Sequence, residues 1–189
     1  MPHTAFGRFS GSLNTALAPL YLIYGEEELL RLEALDALRA AAKQQGYSDR
    51  RLFSADAHAD WNALFAESGS AGLFADRKLL EIHIPNGKPG KNGGEALLQL
   101  AEQPPEHTVS VVVLPKLERS QSQSKWFAAL SRRAVCYEAK ALTAANLPAW
   151  LRGRLHAHGL DIEADALALF AARVEGNLLA AKQEIDKLA

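Results

Sequence analysis

The sequence predicts an α/β domain built on a parallel sheet, followed by a small domain made only of helices. Three observations predict it. Five short apolar runs, at 20–24, 51–55, 78–84, 108–114 and 134–138, alternate with longer segments of helical periodicity. Strand–helix alternation is the signature of βαβ units, whose crossovers force neighbouring strands to run parallel. From Thr143 onward no strand-like run occurs and three helical patterns follow, which places the α/β domain at 1–140 and the helical one at 141–189.

Each element has a local reason. Residues 20–24 are aromatic and β-branched and end at Gly25. A helix over 26–45 carries Leu30, Ala34, Ala37, Leu38 and Ala41 on one face and stops at Gly46. Glu27 and Arg31 are spaced to pair on its solvent side. After the short strand 51–55, Asp60 caps a helix bearing Trp61, Leu64 and Phe65. Strand 78–84 leads into residues 85–94, which read as a flexible glycine-rich loop. A short helix over 95–103 then ends at Pro104-Pro105. The run 108–114 is the richest in valine and is expected at the buried centre of the sheet. One helix over 120–133 precedes the last strand. The three final helices are expected at 146–157, 163–174 and 177–188, with Trp150, Leu167 and Ile185 on their apolar faces.

Composition excludes several classes. Apolar residues make up 48% and charged residues 23%, with a net charge of -1, so any DNA contact must come from a local basic patch. No run approaches the roughly 18 apolar residues of a membrane span, and residues 1–13 lack the core of a signal peptide. A single cysteine, Cys136, precludes an internal disulfide, suits a reducing cytoplasm, and reads as a small buried strand residue. The six histidines are scattered, so neither a metal site nor a cofactor site is expected. No nucleophile elbow occurs. The chain stops at Ala189 inside a helical pattern with no cap, so further sequence beyond it is expected.

The turn after the first strand is where such sheets hold phosphates, using several glycines, a lysine and a serine or threonine. Here it reads Gly25-Glu26-Glu27-Glu28, which suits a helix dipole and repels a triphosphate. At the end of the central strand, where a magnesium-binding aspartate is expected in an ATPase, stand Pro115 and Lys116. The loop at 85–94 lacks the Gly-Lys-Ser/Thr register, and Pro89 interrupts it. Two apolar residues, Leu73 and Phe74, follow the small residues 69–72 and are read either as core or as an exposed anchor pair. Lys88, Lys91, Lys116, Arg119 and Lys125 are the loop and helix-start cations available for DNA phosphates.

An ordered set of short stretches then becomes recognisable. It comprises Tyr21 to Glu27, Asp60-Trp61-Asn62, Leu73 to Leu79, Pro85 to Lys91, Pro115-Lys116-Leu117, Ser124 to Phe127, Leu147 to Trp150 and Glu175 to Ala180. The set resembles the delta-subunit family of the bacterial DNA polymerase III clamp loader, from about residue 18 to the end. The resemblance implies an AAA+ or RecA-like fold without a phosphate-binding loop, then a helical lid. It further implies a helical collar domain that lies beyond this chain and joins the gamma/tau and delta-prime subunits. It implies binding and opening of the sliding clamp (the beta subunit) for loading onto primed DNA during replication, through an exposed pair matching Leu73 and Phe74. Ala71 departs from the family, which often has a larger apolar residue there. ATP-binding relatives carry an arginine about three residues after the lid glycine, whereas Gly176 is followed by Leu179 at that spacing. The implied subunit is cytoplasmic, performs no catalysis itself and belongs to a nucleotidyltransferase complex. The competing readings are an active AAA+ ATPase or helicase fragment, and a stand-alone flavodoxin-like signalling module.

Overall fold

In the computed structural model, which describes residues 2–55, 59–62, 64 and 77–189, five strands pair in one parallel sheet. They are β1 (Leu20–Gly25), β2 (Tyr47–Ser54), β3 (Arg77–His83), β4 (Thr108–Leu114) and β5 (Val135–Ala139), in the spatial order β2-β3-β4-β1-β5. The helices are α1 (Pro2–Leu13), α2 (Glu28–Gln44), α3 (Gly90–Glu102), α4 (Arg119–Ser122), α5 (Lys125–Arg133), α6 (Leu147–Ala157), α7 (Ala164–Val174) and α8 (Leu178–Leu188).

In β1, β3 and β4 the side chains alternate between two buried faces, which is why those runs are largely apolar rather than apolar at every second residue. Tyr21, Ile23, Val109 and Val111 face α1 and α2, and the same core continues into Trp150, Leu151, Leu167 and Ile185 of the last three helices. Leu20, Leu22, Ile82, Val112 and Leu114 face α3 and α5, with Trp61 and Leu64 beside them. The valine-rich run is β4, at the centre of the sheet as its composition predicts.

Four local expectations are corrected. Residues 2–13 form α1, which the sequence reading left without structure; Phe9 and Leu13 close over Tyr21 and Tyr137 because that face of β1 and β5 needs cover. The glycine-rich segment is a loop only to Pro89, and α3 begins at Gly90. A Cβ at Gly93 would sit 2.6 Å from the Trp61 ring, and one at Gly94 would sit 3.2 Å from Trp126. These glycines therefore serve close helix packing rather than flexibility. The helix expected over 120–133 is two, because Ser124 turns out of the first and caps the second, its Oγ accepting from Phe127 N at 3.3 Å. Cys136 is exposed: β5 is an edge strand, and the thiol stays at the surface although it donates to the Ser131 carbonyl of α5 at 3.6 Å. Burial of part of its side chain still pushes the thiol upward, away from thiolate character.

Among the described residues one charged side chain sits wholly inside. Glu81 on β3 has no solvent exposure, and the carboxylate is bound in a fork by Arg39 of α2, at 2.8 and 2.7 Å. Arg50 of β2 lies 2.8 Å from it, and His83 lies 3.5 Å away, too far for a good hydrogen bond. Burial raises this carboxyl, but the hydrogen bonds and charges of Arg39, with Arg50 and His83, outweigh it and hold the group down to about 2. The cluster ties α2 to the β2–β3 edge.

A depressed carboxyl stabilises the fold above its unfolded pKa and loses that contribution as pH falls through the folded value. Glu81→Gln is therefore expected to cost about 3 kcal/mol at neutral pH. The gap to the parent closes between pH 4.5 and about 2. Urea unfolding across that range measures it, and a gap independent of pH would contradict the assignment. Gly93→Ala should lose roughly 1–3 kcal/mol by overpacking against Trp61, despite the helix propensity gained. Gly153→Ala, with nothing within 4 Å of its Cβ, should gain up to about 1 kcal/mol, and thermal melts compare the two.

Candidate functional site

In an open parallel sheet, ligands bind beyond the carboxyl ends of the strands. There β1 ends at Gly25, whose φ of +133° and tight packing exclude a side chain: a Cβ would lie 2.4 Å from the Ala139 carbonyl oxygen of β5. Glu27 N–H donates to that same oxygen at 3.0 Å. Arg31 is half-buried and donates to the Gly25 carbonyl instead of pairing in solvent with Glu27, a correction to the sequence reading. The turn that would have to wrap around a phosphate is thus closed onto the edge strand by its own backbone.

Glu26, Glu27 and Glu28 line a cleft of about 360 Å³ whose other wall is Leu142, Leu147 and the Gly176–Leu179 turn. Burial raises the Glu27 carboxyl, and the neighbouring Glu26 and Glu28 push the same way, against Arg31 and a backbone hydrogen bond. Lys116 Nζ, after β4, lies 2.7 Å from Glu26 Oε2. The observed order also places β3 on the far side of β4, and the residues following it are Ile84, Pro85 and Asn86. Neither strand end presents a carboxylate to a magnesium ion. The three carboxylates give this crevice an excess of negative charge, which disfavours an anionic ligand such as a phosphate.

A second cluster lies on the loops after β3 and β4. Gly87, at φ +66°, packs against Leu117, and Lys88 Nζ reaches Glu118 Oε1 at 2.8 Å, so the two loops lie against each other. Lys91 stands in the first turn of α3, Arg119 opens α4 and Lys125 opens α5, all exposed. The structure therefore gathers the five predicted cations at one end of the sheet, with Lys88 and Lys116 already ion-paired. Leu73, Phe74, Ala71 and Asp76 lie outside the described residues. Arg77, next in the chain, donates to the Gln45 carbonyl at 2.8 Å and lies over the Tyr47 ring. Sequence reasoning missed Glu81 with Arg39 and Arg50; the one signal was a lone carboxylate inside an apolar strand run.

Among the described residues no group of His, Cys, Asp and Glu is placed to hold a metal, and no helix is long and apolar enough to cross a membrane. Fold and site together define an AAA+ or RecA-like α/β domain whose phosphate turn is filled by protein groups, joined to a helical bundle. The family model for the DNA polymerase III delta subunit matches residues 21–140, and the chain belongs to that family. It is 33% identical, over 94% of its length and 52% of the relative's, to DNA polymerase III subunit delta of Escherichia coli K12. Among solved structures, the Bacillus subtilis DNA clamp loader delta protein superposes with a TM-score of 0.69 at 23% identity, covering 100% of this chain and 57% of that one. Thermotoga maritima RuvB superposes with a TM-score of 0.56 at 15% identity, over 90% of this chain and 56% of RuvB, a likeness of fold alone. The chain spans about half the length of the curated relatives it matches.

A nucleotide bound at 100 times its Kd would stabilise the fold by about 2.7 kcal/mol. Magnesium with ATP in the millimolar range is expected to leave the melting temperature unchanged. A clear rise would show that the glutamate-lined cleft accepts a triphosphate after all.

Proposed function

We propose that this chain is the clamp-binding part of a clamp-loader delta subunit, which opens the sliding clamp without hydrolysing ATP. The observation that carries the second half is the turn at Gly25 to Glu28: its backbone is closed onto Ala139 and its carboxylates face the cleft. Membership of the delta family supports the first half. On this reading residues 1–140 are the AAA+-like domain and 141–189 the lid, and the complex works in the cytoplasm.

A subunit without ATP chemistry opens a ring only through binding energy, so it must hold the open interface more tightly than the closed one. Leu73 and Phe74 are the anchor, filling an apolar pocket on the clamp. Asp76, Arg77 and the segment from Asn86 to Asn92 then supply the contacts that favour the open shape. In the full assembly the gamma/tau and delta-prime subunits provide the ATP-driven exposure of this surface. DNA phosphates meet Lys91, Arg119 and Lys125, with Lys88 and Lys116 beside them; such contacts are weak singly and depend strongly on salt.

Size-exclusion of the chain with the sliding clamp tests the anchor. Co-elution is expected, and Leu73→Ala with Phe74→Ala should abolish it, at roughly 2–4 kcal/mol for each residue. The melting temperature should stay nearly constant; a large fall would identify the pair as core. The parent, but not the double variant, should speed release of clamp from closed circular DNA without nucleotide. Binding with unchanged release would leave the chain a tether rather than an opener.

A further inference from the structure

Arg154 on α6 and Glu33 on α2 are 121 residues apart in sequence, yet they form a two-pronged pair. Arg154 Nη1 donates to Glu33 Oε1 at 2.6 Å and Nη2 donates to Oε2. A bidentate fork fixes the relative orientation of two side chains as well as their separation. The guanidinium also lies over the Trp150 ring, 4.6 Å from its centroid. The two charged side chains are only 28% and 23% exposed, so salt screens this pair less than the open-surface pairs elsewhere on the chain. Beneath it, Trp150, Leu151 and Leu155 share one continuous core with Leu30, Ala34 and Tyr137.

A cleft between two domains is ordinarily closed by a ligand that touches both walls. Here one wall carries three glutamates, which disfavour the anionic ligand most suited to that place. We propose that the Glu33–Arg154–Trp150 cluster is a strut that sets the angle of the helical lid on the sheet domain, so that this angle is built into the chain instead of being set by a bound nucleotide. The inference rests on the reading that no nucleotide bridges the cleft. Its consequence is mechanical: sheet domain and lid move as one body, and force applied at one is delivered through the other.

The test is the distance between two nitroxides, measured by pulsed electron paramagnetic resonance on the whole chain. Labels go on Lys43→Cys, exposed at the end of α2, and Leu169→Cys, 71% exposed on α7, in a Cys136→Ser background. The parent should give one narrow distance, unchanged by magnesium and ATP. Glu33→Gln and Arg154→Ala should each lose that single distance while circular dichroism stays native. The charge-reversed pair, Glu33→Arg with Arg154→Glu, should recover it. If Arg154→Ala fails to fold, Glu33→Gln, which keeps its volume, decides alone. A narrow distance that survives in the single variants, or a broad one in the parent, would overturn the strut. A shift on adding ATP to the parent would instead sink the nucleotide-free reading, and the variants would still judge the strut.

Discussion

At the middle of the sheet, β1 and β4 lie side by side, and neither strand has a face left for water. Both have parallel neighbours on either side, and each apolar side chain needs cover on its own side. Fully burying one such side chain contributes about 1.5–3 kcal/mol, so an uncovered face is the costliest error this fold can make. Most of the architecture answers to that demand. Helices α3 and α5 cover one face, and glycines at 93 and 94 let α3 approach the indoles of Trp61 and Trp126. On the other face α2 is too narrow alone. The N-terminal helix and the three C-terminal helices complete the cover, in one core with Tyr21 and Tyr137.

The same demand explains where charge is tolerated. A carboxylate inside a parallel sheet is costly unless its charge and its lone pairs are both met. Glu81 is met by Arg39 from above and Arg50 from the edge strand, and its carboxyl is held far below the usual range as a result. The Glu33–Arg154 pair is a second, less buried case at the seam with the helical bundle. Lys116–Glu26 is different in kind. Both side chains are more than half exposed, so the pair has little weight in stability and matters for what it denies to a ligand.

That denial links fold to function. Sheets of this topology offer a crevice at the strand ends, and the delta-family chain keeps the crevice while changing its chemistry. Backbone groups of Gly25, Glu27 and Ala139 satisfy one another where a phosphate would otherwise be received. With that turn internally closed, the proposed function draws on contact surfaces rather than on a bound nucleotide, which is the basis of the proposed anchor-and-strut arrangement.

The sequence by itself determined the sheet, because period and residue type suffice: five apolar runs separated by helical segments admit few arrangements besides a parallel α/β fold. It also determined the chemistry of the Gly25–Glu28 turn and the missing carboxylates, since identity alone decides charge. Tertiary structure decided whatever depends on a distant partner. Glycines in residues 90–94 look like loop until Trp61 and Trp126 are brought against them. Cys136 looks buried until β5 is found at the edge of the sheet. Arg31 looks solvent-paired until the Gly25 carbonyl turns toward it, and α1 has no evident role until the exposed face of β1 and β5 requires it. Local spacing encodes what neighbours along the chain do to each other. The pairing of residues as far apart as Glu33 and Arg154 is set by the packing of the whole core, and no short-range pattern carries it.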